Sequence, residues 1–290
     1  MKYTNHANLP QPIVDAVIGD TYSKGDADIS VTELDKPARQ RELQRRYREH
    51  ITEDISDSIY RLMGQAVHTI LERAEKQAIA ERRVFTERHG WRISGAMDRV
   101  VILDGNSHPG IQDYKTTSIY AVKDGCTPPW ARQLNTYRLM VRERGILISW
   151  LQVVAILRDW SKVQARIKND YPISQVTTID VPVWSDEATE DYIKQRLIAH
   201  GRARDELPEC SEEERWAKPT LFKVKKKGGQ RAVNGGVFPD SESAEKFAKE
   251  KGDDYEVTVT EGECTRCQHY CNVAEFCDQW AAIKPRKLVA

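Results

Sequence analysis

The sequence of 290 residues lacks any hydrophobic run long enough to cross a membrane. The longest candidate, Gly145 to Leu157, is interrupted by Ser149 and Gln152 and falls short of the ~18 apolar residues that a spanning helix needs. This run is more typical of a buried strand. The N-terminus also lacks the apolar core of a signal peptide. We therefore expect a cytoplasmic protein that has no membrane partner.

The chain has no net charge, because 44 basic residues balance 44 acidic ones. This balance excludes a global attraction to nucleic acid, so any such affinity must come from local patches or bound metal ions. Hydrophobic residues make up 40% and charged residues 30%, which is typical of a globular fold and not of a disordered chain. A chain of this length can form one large domain or two modest ones.

Cysteine is absent before Cys126, yet four of the six cysteines lie within 14 residues near the C-terminal end. These four are Cys264, Cys267, Cys271 and Cys277. In a reducing compartment, cysteines bind metal or stay free rather than form disulfides. Four thiolates this close together suit either tetrahedral Zn²⁺ or an iron-sulfur cluster, and their spacing does not decide between the two.

Two predicted strands carry acidic residues at positions where core residues would be expected. The strands are the apolar runs Ile93 to Leu103 and Gly110 to Thr117, separated by turn-forming residues. Asp98 interrupts the first, and Asp113 and Lys115 share one face of the second because side chains alternate along a strand. Two carboxylates can bind Mg²⁺ or Mn²⁺, and a lysine can stabilise developing negative charge or position an attacking water. Alone, however, the D-x-K pattern is more typical of solvated surface charges.

Two predicted helices flank these strands and add polar residues at helical spacing. Gly64, His68 and Glu72 follow one another at four-residue steps, so they share one helical face. Gln133 and Tyr137 are also four residues apart in the later helix. Each pattern alone is common in ordinary amphipathic helices, but their order relative to the two strands is specific.

The ordered set reads G-x-x-x-H, a strand aspartate, D-Y-K-T-T and Q-x-x-x-Y. In this order the sequence resembles the RecB-type branch of the PD-(D/E)XK nuclease superfamily. That branch includes nuclease domains of bacterial recombination enzymes, iron-sulfur CRISPR-adaptation nucleases and phage exonucleases. The resemblance covers about residues 30 to 137 by motif, together with the cysteine cluster. It implies an α/β fold with a mixed central sheet flanked by helices.

The resemblance implies catalytic roles for four residues, of which the first three would also bind one or two Mg²⁺ or Mn²⁺ ions: His68, Asp98, Asp113 and Lys115. The backbone carbonyl of Tyr114 would be a further metal ligand. Gln133 and Tyr137 match a family motif that lies beside the active site and helps to hold DNA. Glu72 shares the helical face of His68 but belongs to none of the family's motifs.

The resemblance also favours a 4Fe-4S cluster over Zn²⁺, because iron-sulfur members of the branch end in a cysteine triplet. In several of those families the fourth ligand precedes the histidine motif, and this chain has no cysteine there. The fourth ligand is therefore Cys210 or Cys264. We favour Cys210, because it opens the segment that the triplet closes. The triplet itself is Cys267, Cys271 and Cys277.

The patterns divide the chain into an N-terminal extension with little regular structure (1–28), a nuclease core (29–206), a small α/β insertion with a basic hairpin turn (207–262) and a C-terminal cysteine segment (263–290). Within the core we expect a sheet of about five strands. The other predicted elements are a capped helix start at 29–34, helices at 38–50, 54 to about 83, 130–144 and 186–206, a hairpin turning at 89–90, strands at 146–158 and 178–184, and a basic loop at 162–168.

These observations predict a metal-dependent deoxyribonuclease, more specifically an exonuclease of DNA recombination, DNA repair or phage DNA processing. Only the resemblance implies that context, and with it a single-strand annealing protein as a partner beside DNA. One alternative is a non-catalytic DNA-binding or scaffold protein that retains the fold. Another is a zinc-stabilised adaptor, which would leave the two acids, His68 and Lys115 without a role.

Overall fold

The computed structural model describes residues 1–19, 23–75, 79–102 and 108–284. The chain folds as two compact units, each with its own hydrophobic core. Unit 1 comprises Met1–Glu42 and Glu49–Leu207, and unit 2 comprises Leu43–Arg48 and Pro208–Ala290. Within the described ranges, none of the helices has the length and apolar character needed to span a membrane.

Unit 1 contains a mixed six-stranded sheet and the helices that pack around it. Its elements in chain order are β1 (Lys2–Thr4), α1 (Gln11–Ile18), β2 (Ile29–Ser30), α2 (Val31–Leu34), α3 (Ala38–Arg46, whose last residues belong to unit 2), β3 (Thr52–Asp54), α4 (Ile59–Ala74), β4 (Ile79–Arg88), β5 (Trp91–Val101), β6 (Gly110–Thr117), α5 (Pro128–Arg142), β7 (Trp150–Leu157), α6 (Lys162–Ile167), β8 (Val176–Val181) and α7 (Asp186–Arg202).

The strand order of the main sheet is β2-β5-β6-β7-β8, and β4 pairs with β5. Strands β6 and β7 run parallel, while β5 and β6, and β7 and β8, run antiparallel. Strict alternation in β7 sends every second side chain into the core, namely Leu151, Val153, Ala155 and Leu157. This sheet, with α5 and α7 packed in its core, confirms the predicted mixed α/β architecture.

Local sequence signals correctly predicted two features that frame the sheet. His89 and Gly90 both have positive φ, 48° and 76°, and they join Arg88 to Trp91 in a two-residue hairpin turn. The predicted capped helix start is also present. The Ser30 hydroxyl accepts the Glu33 N–H and the Glu33 carboxylate accepts the Ser30 N–H, which forms a capping box.

Four predictions of secondary structure were wrong. The N-terminal 28 residues contain β1 and α1. Strand β1 pairs in parallel with β3. Pro12 lies in the first turn of α1, where a helix tolerates proline. The helix that carries His68 ends at Ala74 rather than near residue 83, because residues from Ile79 onward pair with β5. The basic segment after Trp160 is helix α6, since Ser161 caps it by accepting the Gln164 N–H. The sheet has six strands rather than about five.

Unit 2 contains a three-stranded antiparallel sheet, of order β11 (Ala232–Phe238), β10 (Leu221–Lys226) and β12 (Tyr255–Thr260), and α9 (Ser241–Lys251) packs against it around Val224, Ala244 and Ala248. The predicted hairpin, short helix and following strand of this segment are therefore present. The elements of unit 2 are α8 (Glu212–Arg215), β9 (Ala217–Lys218), β10 (Leu221–Lys226), β11 (Ala232–Phe238), α9 (Ser241–Lys251), β12 (Tyr255–Thr260), β13 (Glu263–Cys264) and α10 (Asp278–Ile283).

A buried histidine fastens α7 to the end of α2 in unit 1. His200 is 2% exposed, and its Nε2 lies 3.1 Å from the Leu34 carbonyl oxygen, which also accepts a hydrogen bond from Arg196. Burial lowers the pKa of His200 to about 4; the Leu34 hydrogen bond and Glu33 oppose this shift, and Arg196 and Arg41 add to it. The neutral imidazole is therefore the form that the fold requires.

We expect the protein to lose stability as the pH falls from about 6.5 to about 4. The unfolded state binds a proton at His200 from pH 6.5 downward, whereas the folded state resists it until about pH 4. The loss at the lower limit is on the order of 3 kcal/mol. The free energy of unfolding, measured in denaturant at several pH values, gives this loss. His200→Gln should flatten this part of the profile, whereas His108→Gln, at an exposed site, should not.

Candidate active site

The main sheet opens between β5 and β6, and the predicted site lies at that opening. Backbone pairing between the two strands stops at Arg99 and Gln112. Asp98 is the residue before Arg99 on β5. Its side chain, rather than a backbone carbonyl, accepts the Tyr114 N–H of β6, with 2.7 Å between Oδ2 and the nitrogen. The Asp98 carboxylate is thus attached to β6 rather than exposed to solvent.

Asp113 and Lys115 share one face of β6, as side-chain alternation predicted. Lys115 Nζ forms an ion pair with the buried Asp113 Oδ2 at 2.5 Å. Asp113 is 2% exposed. Burial, followed by the charge of Asp98, raises the pKa of Asp113, and the Lys115 ammonium opposes the shift. The site therefore holds a strongly desolvated carboxylate beside a cation.

His68 reaches the same opening from helix α4. Its Nδ1 lies 3.1 Å from Asp98 Oδ1, and its ring meets the Tyr114 ring edge-on, with 6.4 Å between centroids. The hydrogen bond to Asp98 raises the pKa of His68, although burial opposes the shift. Glu72, one helical turn further on, lines the same small cleft as His68 and Asp98.

Gln133 and Tyr137 support Asp113 from helix α5. Gln133 Nε2 lies 3.3 Å from Asp113 Oδ1 and 3.0 Å from the Tyr137 hydroxyl oxygen. Tyr137 is 3% exposed, and its ring packs so closely on β5 that a Cβ at Gly95 would lie 2.8 Å from it. The pair therefore holds the buried carboxylate in place, and a direct contact of Tyr137 with DNA stays a prediction.

A polar chain beside the site was not anticipated from the sequence. Arg99 donates to Glu75 at 2.5 Å and to Gln112 at 2.7 Å, and Gln112 donates in turn to Gln152 on β7 at 2.8 Å. These bonds cross three neighbouring elements next to Asp98. The available signal was Gln152, which interrupts the otherwise apolar strand β7.

The donor groups of the site fit a hard divalent cation. Two carboxylates and an imidazole converge here, since His68 contacts Asp98 and the charges of both act on the buried Asp113 carboxylate. Oxygen ligands of this kind are those that Mg²⁺ and Mn²⁺ prefer. In residues 1–19, 23–75, 79–102 and 108–284, no three His, Cys, Asp or Glu side chains are already arranged as a metal-binding group. The Tyr114 carbonyl as a ligand stays a prediction.

The clustered cysteines of unit 2 also lie near one another. Burial raises the pKa of Cys267 to about 11, and the nearby thiols of Cys271, Cys264 and Cys277 add to the shift. Cys210 adjoins the same region, because its backbone N–H and carbonyl both bond to the Gln279 side chain at 2.9 and 3.0 Å. The thiol of Cys264 therefore lies close to the triplet, and the backbone of Cys210 lies beside Gln279, two residues after Cys277.

A mixed α/β sheet that opens around two aspartates, a histidine and a lysine is the arrangement that the sequence resemblance implied. The chain belongs to the PD-(D/E)XK nuclease superfamily, whose family model matches residues 21–278. The chain is also similar to a solved structure described as "Crystal structure of SSO0001", with 19% identity and a TM-score of 0.45, covering 64% of this chain and 82% of that chain. None of the curated proteins matches the sequence.

Proposed function

We propose that the protein is a metal-dependent deoxyribonuclease that acts as an exonuclease in DNA recombination, repair or phage DNA processing. One observation supports the chemistry above all others: Asp113 is buried, and its Oδ2 forms an ion pair with Lys115 at 2.5 Å. A solvated surface hairpin would leave both groups in water. The desolvation cost of a buried ion pair often exceeds its mutual attraction, so this arrangement favours a functional role over an ordinary structural ion pair.

Each polar group of the site has a separate role in this proposal. Asp98, Asp113 and His68 would hold the Mg²⁺ or Mn²⁺ ion, which would supply Lewis acidity and lower the pKa of a bound water. The Lys115 ammonium stabilises negative charge on the phosphate and positions the attacking water. The Tyr114 N–H fixes the Asp98 carboxylate, and Gln133 fixes that of Asp113. The acids therefore keep their orientation without relying on solvent.

We further propose that the cysteines of unit 2 hold a 4Fe-4S cluster, with Zn²⁺ as the alternative, and that this group is structural. Soft thiolates suit either metal and do not suit Mg²⁺. Cys267, Cys271 and Cys277 would be three ligands, and Cys210 or Cys264 the fourth. The thiols of Cys264, Cys267, Cys271 and Cys277 lie near one another, and this proximity supports metal binding.

Exonuclease action is tested by comparing linear DNA with closed circular DNA of the same sequence. An exonuclease needs an end, so we expect degradation of end-labelled linear single- or double-stranded DNA with Mn²⁺ or Mg²⁺, while the circles stay intact. The ladder of labelled products gives the polarity. Cleavage of both forms at equal rates would show an endonuclease instead.

Loss of the Gln133 amide should slow hydrolysis without unfolding unit 1. Gln133→Leu removes the group that fixes Asp113 Oδ1, and the loss of such a supporting partner at a metal site typically reduces metal affinity or activity by about 10- to 100-fold. Titration of the rate with Mn²⁺ measures the effect and separates affinity from maximal rate. Tyr137→Phe, which removes only the hydroxyl behind Gln133, should have a smaller effect. Equal rates for Gln133→Leu and the intact protein would contradict the assigned role.

A further inference from the structure

An exposed aromatic ring and an arginine form a pair at one end of the active-site helix. The Arg158 guanidinium carbon lies 4.2 Å from the centre of the Tyr60 ring, and Tyr60 is nevertheless 63% exposed. Arg158 is itself exposed. Such cation–π pairs hold a ring in a defined orientation. The Tyr60 ring is therefore oriented on one side and open to solvent over much of its surface.

This pair lies at the same end of the sheet as the catalytic lysine. Arg158 directly follows β7, and its N–H donates to the carbonyl of Thr117 at 2.9 Å. Thr117 is only two residues beyond Lys115 on β6. On helix α4, Tyr60 precedes His68 by eight residues, a distance of about 12 Å along the axis.

The helix surface between Tyr60 and His68 is open. Gly64 lies one turn from each of them, and a Cβ placed there would meet nothing within 4 Å. Glycine is less favourable than alanine inside a helix, and no neighbouring side chain within the described residues needs its small size. The opening at Gly64 therefore leaves room for a molecule other than the protein itself.

We propose that Tyr60, held by Arg158, stacks on an unpaired nucleobase of the substrate strand, and that the strand crosses α4 over Gly64 to reach His68 and Asp113. This rests on the proposed nuclease function. The distance of about 12 Å is several times the ~3.4 Å rise per nucleotide of a duplex strand. The stacked base therefore belongs to a nucleotide a few positions along the strand from the cleaved phosphodiester bond. The Arg158 guanidinium supplies charge that complements the adjoining phosphate.

A cleft beyond the pair has the character that the rest of the strand would need. The Ile119 N–H donates to the carboxylate of Asp159, the residue after Arg158, and Ile119 is at the edge of a cleft of about 710 Å³. Two tyrosines, two lysines and one acidic residue contribute to its walls: Tyr120, Lys123, Lys168, Tyr171 and Asp170. Aromatic rings interleaved with cations are typical of single-strand binding surfaces.

The test measures DNA binding separately from cleavage. The full chain carrying Lys115→Ala is titrated in Ca²⁺ into a fluorescein-labelled single strand, and a series of strands each lacks one base. We expect Tyr60→Ala to weaken binding roughly 5- to 100-fold, while Tyr60→Phe, which keeps the ring, binds normally. One abasic position should weaken binding of the parent protein and have no further effect on Tyr60→Ala.

A second variant distinguishes weakened strand binding from misfolding. Gly64→Ala should keep or raise the melting temperature, because the helix gains a better helix former, yet it should weaken strand binding. Equal sensitivity of the parent and of Tyr60→Ala to every abasic position would overturn the stacking proposal, as would an absence of strand binding. Neither result depends on hydrolysis. Failure of the nuclease function would instead appear as intact DNA after incubation of the unsubstituted protein with Mn²⁺.

Discussion

Asp113→Asn should reduce the rate of DNA hydrolysis by about 10³-fold or more while the protein stays folded. An amide has almost the shape of a carboxylate but removes the negative charge that a divalent cation requires, and metal ions supply several kcal/mol of transition-state stabilisation. Asp113 is also buried, and this burial raises its pKa. Loss of a charge that burial already disfavours should therefore leave the melting temperature unchanged or higher.

The matched control for this variant is Asp180→Asn. Asp180 is an exposed residue on β8 that accepts a hydrogen bond from Gln152 at 3.0 Å and lies away from Lys115. We expect it to retain nearly full activity. Single-turnover rates on a labelled linear strand and thermal unfolding of both variants provide the comparison. An active Asp113→Asn protein would contradict the assigned role, and an unfolded one would show that the residue is structural.

Substitution of Cys271 by serine should remove the cysteine-bound metal and destabilise unit 2. Structural metal sites contribute their binding free energy directly to folding, on the order of 10 kcal/mol for zinc sites. The core around Val224 is small and offers little to replace that contribution. We expect loss of bound metal on elemental analysis and faster proteolysis within 208–284. Cys126→Ser, in unit 1, is the matched control and should retain its metal.

The fourth ligand is identified by substituting Cys210 and Cys264 separately. Anaerobically purified protein with a 4Fe-4S cluster absorbs visible light, and the substitution that bleaches this absorption marks the ligand. A colourless protein with stoichiometric zinc would favour the alternative metal. Protein that binds neither metal, with Cys271→Ser as stable as the parent, would contradict a metal role for these thiols.

The sequence predicted those parts of the site that follow from strict local geometry. Asp113 and Lys115 meet because side chains alternate with a period of two on any strand. Positions four apart on a helix are neighbours, so Gln133 and Tyr137 were expected to lie together. His89 and Gly90 suit the positive φ values of a short turn. These inferences need no knowledge of distant residues, which is why they were correct.

Features that depend on distant partners were not predictable in the same way. The end of α4 is decided by the pairing of Ile79 with Val100, which lies 21 residues away. Strand β1 forms only because β3 lies beside it. The burial of Tyr137 depends on Gly95, since a side chain there would collide with the ring. Helical spacing alone could not distinguish a tyrosine that contacts DNA from one packed beneath the sheet.

The nuclease function is tested most directly by digestion of end-labelled linear DNA with Mn²⁺ or Mg²⁺ by the intact protein and by Lys115→Ala. We expect the intact protein to degrade the DNA only when the metal is present. Lys115→Ala should lose that activity while remaining folded, and the exposed Lys194→Ala on α7 should keep it. Equal activity of Lys115→Ala and the intact protein, or no degradation by intact protein supplied with metal, would contradict the nuclease account.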